Sequence, residues 1–451
     1  MTLSHCWGLH PVVRTIHETL KSHLQALPLS SLPNTFRDAV LITRALGVQY
    51  LWIDSLCIVQ DSREDWERES AKMGMIYFSS YLTIAASAAK DSTGGCFVPR
   101  DNSSHAQVKA TDPDYRRTAK VFIRPCPGDF STLSQRTLHT RAWVLQEQIL
   151  SARMINFDVD QLLWRCQEAH IAEDGITPEF SSLDNGPDMS PSMERYKGSN
   201  DTFEWESDWY EMVEGYSNRG ITKSMDKLPA LSGLAKVLEE RTGVEYVAGM
   251  WKSHLALGLL WYRKGRRRRW LVPPADGYRA PSWSWASLEG EVSMVEPASN
   301  IQSNLLEVLV EDLETEVKPR GLDPNGSLDS GSLTLTGRVR TFDRRMNPQN
   351  PAYEWVREIN VEGKEGITDY FFDKGEVVGQ AIFDEAFKSN DQPLYCLQVV
   401  RYTISHSRWK GLLLERTGEE GEYRRIGYCV TEYVHNVMWF DGVPKVRIRI
   451  V

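Results

Sequence analysis

The stretch that most constrains this chain is residues 49–60, QYLWIDSLCIVQ, followed at once by the helix opening Asp61-Ser62-Arg63-Glu64-Asp65-Trp66. A short apolar run, residues 50–53, stops abruptly at Asp54. In an open α/β sheet, ligands bind in the crevice outside the carboxyl ends of the strands, so a buried strand that ends on a charged residue marks a place where the sheet delivers side chains. Asp54, Ser55, Cys57 and Gln60 are therefore expected at or near a pocket.

The flanking pattern alternates strand and helix signals. Residues 1–3 read as the end of a strand running into Ser4-His5-Cys6-Trp7-Gly8. Thr35 with Asp38 three residues on is an acidic variant of the capping box. Phe36, Ala39, Val40, Thr43 and Leu46 follow on one helical face, and Gly47 suits the position after the helix. A second helix opens at Ser62, with Trp66, Met73, Ile76 and Tyr77 on one face, and residues 82–86 (LTIAA) read as a buried strand ending at Ser87. The order β-α-β-α-β predicts a parallel sheet with right-handed crossovers. Further along, strand character is expected at 120–123, a helix over 141–150, a strand over 156–164 and a long polar surface loop over 171–200. Helices are expected over 205–216 and 229–241, with 249–260 continuing that layer. Beyond Ser282 short strands are expected at 333–339, 395–402, 411–416 and 423–430, the last two as a hairpin.

At 451 residues the chain exceeds one ordinary core. Its net charge of −9 argues against a general nucleic-acid or membrane-surface binder. The run Arg266-Arg267-Arg268-Arg269 reads as a solvated loop. Seven cysteines, an odd count without a C-x-x-C pair, signal neither a disulfide scaffold nor a zinc ribbon; reduced thiols and a cytoplasmic location fit, with no metal site. No signal peptide and no apolar run long enough to span a bilayer is present in the sequence. The partner expected is a small molecule or nucleotide, not nucleic acid or membrane, and homo-oligomerisation stays open.

Four constellations carry chemistry. In SHCWG, strand alternation puts Ser4 and Cys6 on one side and His5 and Trp7 on the other. His5 is either a functional group or a hydrogen-bonded structural histidine. Asp54 either orients His5 or a ribose hydroxyl, or caps the next turn. Cys57 as a nucleophile needs a lowered pKa, and a buried inert thiol is the simpler expectation. On a helix over 141–150, Trp143, Glu147 and Leu150 share a face. A carboxylate between tryptophan and leucine is either paired, with Arg141 or Arg153, or lines a pocket, where desolvation raises its pKa and suits it to general acid–base work or to stabilising an oxocarbenium ion. Finally, Ser282-Trp283-Ser284-Trp285-Ala286-Ser287 alternates like a strand, and its tryptophans suit inter-domain packing better than a stacking platform.

Taken together, SHCWG, YLWIDSLCIVQDSREDW, LTIAASAAKDSTGGCF, RAWVLQEQILSAR and, further on, DKLPALSGLA, Gly249-Met250-Trp251 and PSWSWAS resemble the fungal heterokaryon-incompatibility (HET) domain family. The resemblance implies a HET domain over residues 1–168, a loop over 169–200, a helical region over 201–280 and a β-rich region over 281–451 packed on the HET domain. It also implies an α/β, TIR/flavodoxin-like parallel sheet, since HET domains are regarded as remote relatives of TIR domains, many of which cleave NAD. TIR enzymes carry a catalytic Glu in a Trp-Cys-x-x-Glu stretch; Trp143-Val144-Leu145-Gln146-Glu147 is similar in spacing, with Val144 in place of Cys. By that analogy Glu147 is the catalytic candidate, assisted by His5 and Asp54, with Ser4, Trp7, Cys57, Gln60, Arg141, Trp143, Gln146 and Arg153 as substrate-binding candidates. NAD would then be a substrate, and no resident cofactor is expected. The chain opens almost at SHCWG, where family members usually carry a full strand, so either a short or frayed first strand or a misassigned start codon is expected. Three functions follow: a nucleotide glycosidase linked to fungal incompatibility and cell death, a HET-fold enzyme recruited to a specialised metabolite, or a non-catalytic module acting through self-association.

Overall fold

The computed structural model describes residues 1–8, 13–100, 106–112, 117–123, 127–128, 130–166, 168–175, 202–264, 271–294, 305–342, 369–373, 376–385, 393–403, 408–431 and 439–451. The four-arginine run and residues 176–200 of the expected surface loop lie outside them. The chain divides into two compact units, Met1–Ser192 and Met193–Val451.

The first unit is built on a five-stranded sheet of β1 (Thr2–Ser4), β2 (Thr83–Ala85), β5 (Arg153–Phe157), β6 (Leu162–Cys166) and β7 (His170–Ala172), in that order. β1, β2 and β5 run parallel, and β6 and β7 continue the sheet antiparallel. A separate hairpin, β3 (Ala106–Asp112) with β4 (Arg117–Ile123), contains the strand expected at 120–123. The helices are α1 (His17–Gln25), α2 (Asn34–Ala45), α3 (Asp54–Cys57), α4 (Arg63–Phe78) and α5 (Ala142–Leu150).

The expected strand over 50–53 shrinks to one parallel bridge, Thr2 with Trp52, on the outer side of β1. Trp52 N donates to Met1 O at 2.9 Å, and Leu3 N donates to Trp52 O at 3.0 Å. The strand goes no further because Ile53 already serves as the N-cap of α3. The parallel segments nevertheless stand in the chain order 2-1-3-4. The expected strand over 156–164 is instead the β5–β6 hairpin, because Asp158-Val159-Asp160 between the two apolar runs forms its turn.

The two faces of this sheet differ. Leu3 and Ile84 pack with Phe36 and Ala39 of α2 in an apolar core. Opposite them the register aligns Thr2, Thr83 and Met154 in one row and Ser4, Ala85 and Asn156 in the next. Over this second face lies α5, seated through an apolar patch of Cys6, Ala85, Leu138, Val144 and Met154. Hydroxyls line the rest: Thr2 Oγ1 meets Thr83 Oγ1 at 2.7 Å, Thr83 Oγ1 meets Ser151 Oγ at 2.6 Å, and Ser151 Oγ donates to Glu147 O at 2.6 Å. A dry face on one side and a polar one on the other is how a sheet provides a buried site without giving up its core.

Helix ends follow the sequence in part. Ser62 caps α4 by accepting from Asp65 N at 3.2 Å, and Gly47 closes α2 at φ +69°. The Thr35–Asp38 box does not form. Pro33 is the N-cap of α2, and Asp38 Oδ2 accepts from Cys96 N at 2.9 Å while Thr35 Oγ1 accepts from Gly95 N at 3.0 Å. Tertiary donors thus outcompete the local cap.

In the second unit, helices Thr202–Ser217 and Pro229–Thr242 precede a small hairpin, β8 (Tyr246–Val247) with β9 (Met250–Trp251). The expected helix over 249–260 is broken into β9, a 3₁₀ turn at Lys252–His254 and a short helix, Leu255–Gly258. Gly249 explains the break. It sits at φ +95°, and its carbonyl accepts from the indoles of Trp209 (3.2 Å) and Trp285 (2.9 Å) instead of a helical amide. The Ser/Trp alternation is no strand either: Trp285–Ser287 is a 3₁₀ turn capped by Ser284, with Trp283 and Trp285 wholly buried.

β10 (Tyr262–Arg263) pairs with β11 (Val292–Ser293). The remaining strands form a nine-stranded sheet of β12 (Leu306–Val308), β13 (Glu311–Pro319), β14 (Leu328–Phe342), β15 (Asp369–Asp373), β16 (Glu376–Phe383), β17 (Leu394–Tyr402), β18 (Trp409–Arg416), β19 (Glu422–Val430) and β20 (Lys445–Ile450). Its strands β14, β17, β18, β19 and β20 close into a barrel. The hairpin expected from 411–416 and 423–430 is β18–β19. Cys396, Trp409, Leu413, Cys429 and Phe440 belong to the core cluster here. Gly411 makes closure possible, since a Cβ there would lie 2.1 Å from Leu397 O. Gly411→Ala is expected to cost about 3 kcal/mol or more, whereas Gly215→Ala, in a helix with open space around it, is expected to be neutral or stabilising by up to about 1 kcal/mol. Urea midpoints of the two variants check this.

No helix among the described residues is long and apolar enough to cross a membrane.

Candidate active site

Glu147 is the centre of the candidate site. It projects from α5 and is 5 % exposed. Burial pushes its carboxyl up to about 7, against the hydroxyls of Ser4 and Tyr77 and the charge of Arg141, which favour the ionised form; the charge of Asp54 pushes in the same direction as burial. Ser4 reaches this position because it ends β1 on the hydroxyl-lined face. Tyr77 comes from the last turn of α4, where its hydroxyl donates to Leu3 O at 3.3 Å. The Cys6 thiol is buried beside Arg141 and Glu147, and its pKa is raised chiefly by desolvation.

A second cluster occupies the other side of β1, as strand alternation requires. Asp54 opens α3, where its Oδ1 accepts from Ser55 N at 2.7 Å and its Oδ2 accepts from Trp7 Nε1 at 2.8 Å. That bond fixes the half-buried indole. His5 packs edge-on against Phe36, ring centroids 4.9 Å apart, with Nδ1 3.8 Å from Asp54 Oδ1. Neither of its ring nitrogens has hydrogen-bond geometry to a partner among the described residues. Burial lowers its pKa, and the Asp54 charge opposes that shift. Arg141 links the clusters: it stands just ahead of α5, donates to His5 O, and exerts its charge on Glu147. Residues from positions 4–7, 54 and 141–147 thus gather around the end of β1, as two half-sites straddling the strand.

Residues 1–147 match the family model described as Heterokaryon incompatibility protein (HET). The N-terminal domain belongs to this family. The matched span ends on the buried carboxylate itself. No curated protein and no solved structure matches the chain.

Within the HET domain the other candidates divide. Gln146 is buried on α5, and Trp143 is half-buried. Gln60 belongs to the loop architecture: its Nε2 donates to Asp54 O and Ile58 O, each at 3.0 Å, bracing the turn behind Asp54. Cys57 is exposed, not buried as expected, and partial desolvation of its sulfur raises the thiol pKa, so nothing activates it as a nucleophile. Arg153 is no part of the cluster and does not pair with Glu147. It precedes Met154, which is level with Thr83 at the start of the parallel strands, and so lies toward the opposite end of the strands from Ser4 and Ala85. There it stacks over Tyr81, 5.6 Å from the ring centroid.

The sequence does not single out Tyr77 for the site, nor the buried polar group at Ser87. Tyr77 reads as an ordinary core position at helical spacing, and only the fold reveals its hydroxyl. Ser87 Oγ lies 3.1 Å from His139 Nε2 and donates to Asn156 Oδ1 at 3.2 Å, beside Gln148 Nε2, 2.6 Å from His139 Nδ1. The apolar strand ending at Ser87 is the one signal that pointed there. Among the described residues no group of three or more His, Cys, Asp or Glu is placed to hold a metal ion.

Proposed function

We propose that the HET domain is an enzyme that cleaves the glycosidic bond of a nucleotide such as NAD, as part of fungal incompatibility and cell death. The observation that carries this reading is the buried Glu147 carboxyl facing Ser4 and Tyr77, with a pKa near 7. A carboxylate in a low-dielectric setting stabilises a nearby developing cation far more than one in water. In this reaction the bond between the ribose carbon and the base nitrogen breaks, and its electron pair leaves with the base. The oxocarbenium ion is held by ionised Glu147, and water adds to it, releasing a proton.

The half-buried Trp7, held by Asp54, offers a flat surface for the base. Arg141 and the Ser4 hydroxyl suit phosphate and ribose oxygens. His5 supports the Asp54 side of the site. The strand order 2-1-3-4 is that of flavodoxin-like sheets and supports the TIR-like reading of the fold. The test is incubation of the full chain with NAD at high protein concentration, followed by chromatography. Release of nicotinamide is expected, and intact NAD would count against the proposal.

A further inference from the structure

The second unit contains a cleft of about 920 Å³ that the proposed reaction does not use. Ligand sites are typically concavities of this size, roughly 300–1,000 Å³. Pro273, Pro274 and Tyr278 line it from one chain segment, and Val317 and Ser330 from the β13–β14 hairpin. Arg279 also lines it and is 1 % exposed. Its Nε donates to Ala286 O at 2.6 Å, its Nη1 serves Ser224 O and Glu289, and its Nη2 has no partner among the described residues.

A second buried cation stands close by. Lys227 is 3 % exposed, and its Nζ donates to the carbonyl of Leu288, itself a lining residue. Arg279 and Lys227 repel each other, and Glu289 is the carboxylate that attracts both. Burial chiefly, and then the charge of Arg279, pull the Lys227 pKa down to about 7. The neighbouring cation Arg425 is closed off by contrast, because it is paired with Asp384. A buried guanidinium N–H without an acceptor is costly, and an incoming oxyanion relieves the cost.

We infer that this cleft binds an organic oxyanion, its charged end drawn to Arg279 and its apolar body against the prolines, Tyr278 and Val317. The test uses anilinonaphthalene sulfonate, a flat apolar body with one oxyanion, titrated by fluorescence into the full chain, with benzoate as competitor. Saturable binding displaced by benzoate is expected. Arg279→Gln should weaken it about tenfold or more, the usual loss for a charge-assisted hydrogen bond. Ser330→Trp obstructs the mouth from an exposed strand position, leaves Arg279 intact and is expected to weaken binding comparably. Should Arg279→Gln fail to fold, Ser330→Trp decides the question. Absence of saturable binding, or binding unchanged in Ser330→Trp, overturns the inference.

Discussion

Glu147→Gln is expected to leave the protein more stable at pH 8 than the wild type while abolishing turnover. The sign follows from proton linkage. The carboxyl titrates near 4.5 when unfolded and near 7 when folded, so the folded state holds the proton more tightly. The stability this provides is fully present below 4.5 and is lost as pH rises through 7. At pH 8 the wild type carries a buried charge at a cost on the order of 3 kcal/mol, which the neutral amide avoids. Weaker attraction to Arg141 subtracts from that gain. Urea unfolding at pH 5 and pH 8 checks the claim: the two proteins should be close at pH 5, and the variant ahead at pH 8. A variant that is the weaker at pH 8 would mean that Glu147 is stabilised as an ordinary ion pair. A residue that costs stability where it is ionised is what a site selected for chemistry contains.

The largest loss is expected from Asp384→Ala. Arg425 is fully buried in the second unit, donating through Nε to Asp384 Oδ2 at 3.1 Å and through its Nη atoms to the carbonyls of Leu259 and Trp261. It also lies over the Trp261 ring, 3.4 Å from the centroid. Removing Asp384 leaves a guanidinium in the core without its counter-charge, at about 3–5 kcal/mol. Replacing both residues, Asp384→Ala with Arg425→Leu, is expected to recover part of that loss, because the stranded charge has gone. Denaturant midpoints of the single and double variants measure the coupling. A double variant as unstable as the sum of the singles would show that the pair acts through packing alone.

Much of the first unit could be read from local signals. Strand alternation correctly separated Ser4 and Cys6 from His5 and Trp7, and the abrupt stop at Asp54 marked the end of the strand layer. The position of Glu147 between Trp143 and Leu150 announced a desolvated carboxylate. Arg153 was misplaced because spacing along a chain does not say which end of a parallel strand a side chain occupies; the register with Thr83 decides that. The Thr35–Asp38 cap was lost to competing amides at Gly95 and Cys96, donors about sixty residues away. In the second unit, Gly249 defeats periodicity for a related reason: the indole N–H groups of Trp209 and Trp285 take the carbonyl that a regular helix would have used. The closed barrel depends on β14 meeting β20 and β17, contacts that no local pattern announces.

The central claim is that the Glu147 carboxylate performs glycosidic chemistry at the end of β1. The most direct measurement is the pH dependence of nicotinamide release from NAD by wild type and by Glu147→Gln. Release that climbs with a midpoint near pH 7 in the wild type, and is absent from the variant at every pH, is the expected result. Equal release by both proteins, or none from the wild type between pH 5 and 9, would contradict it.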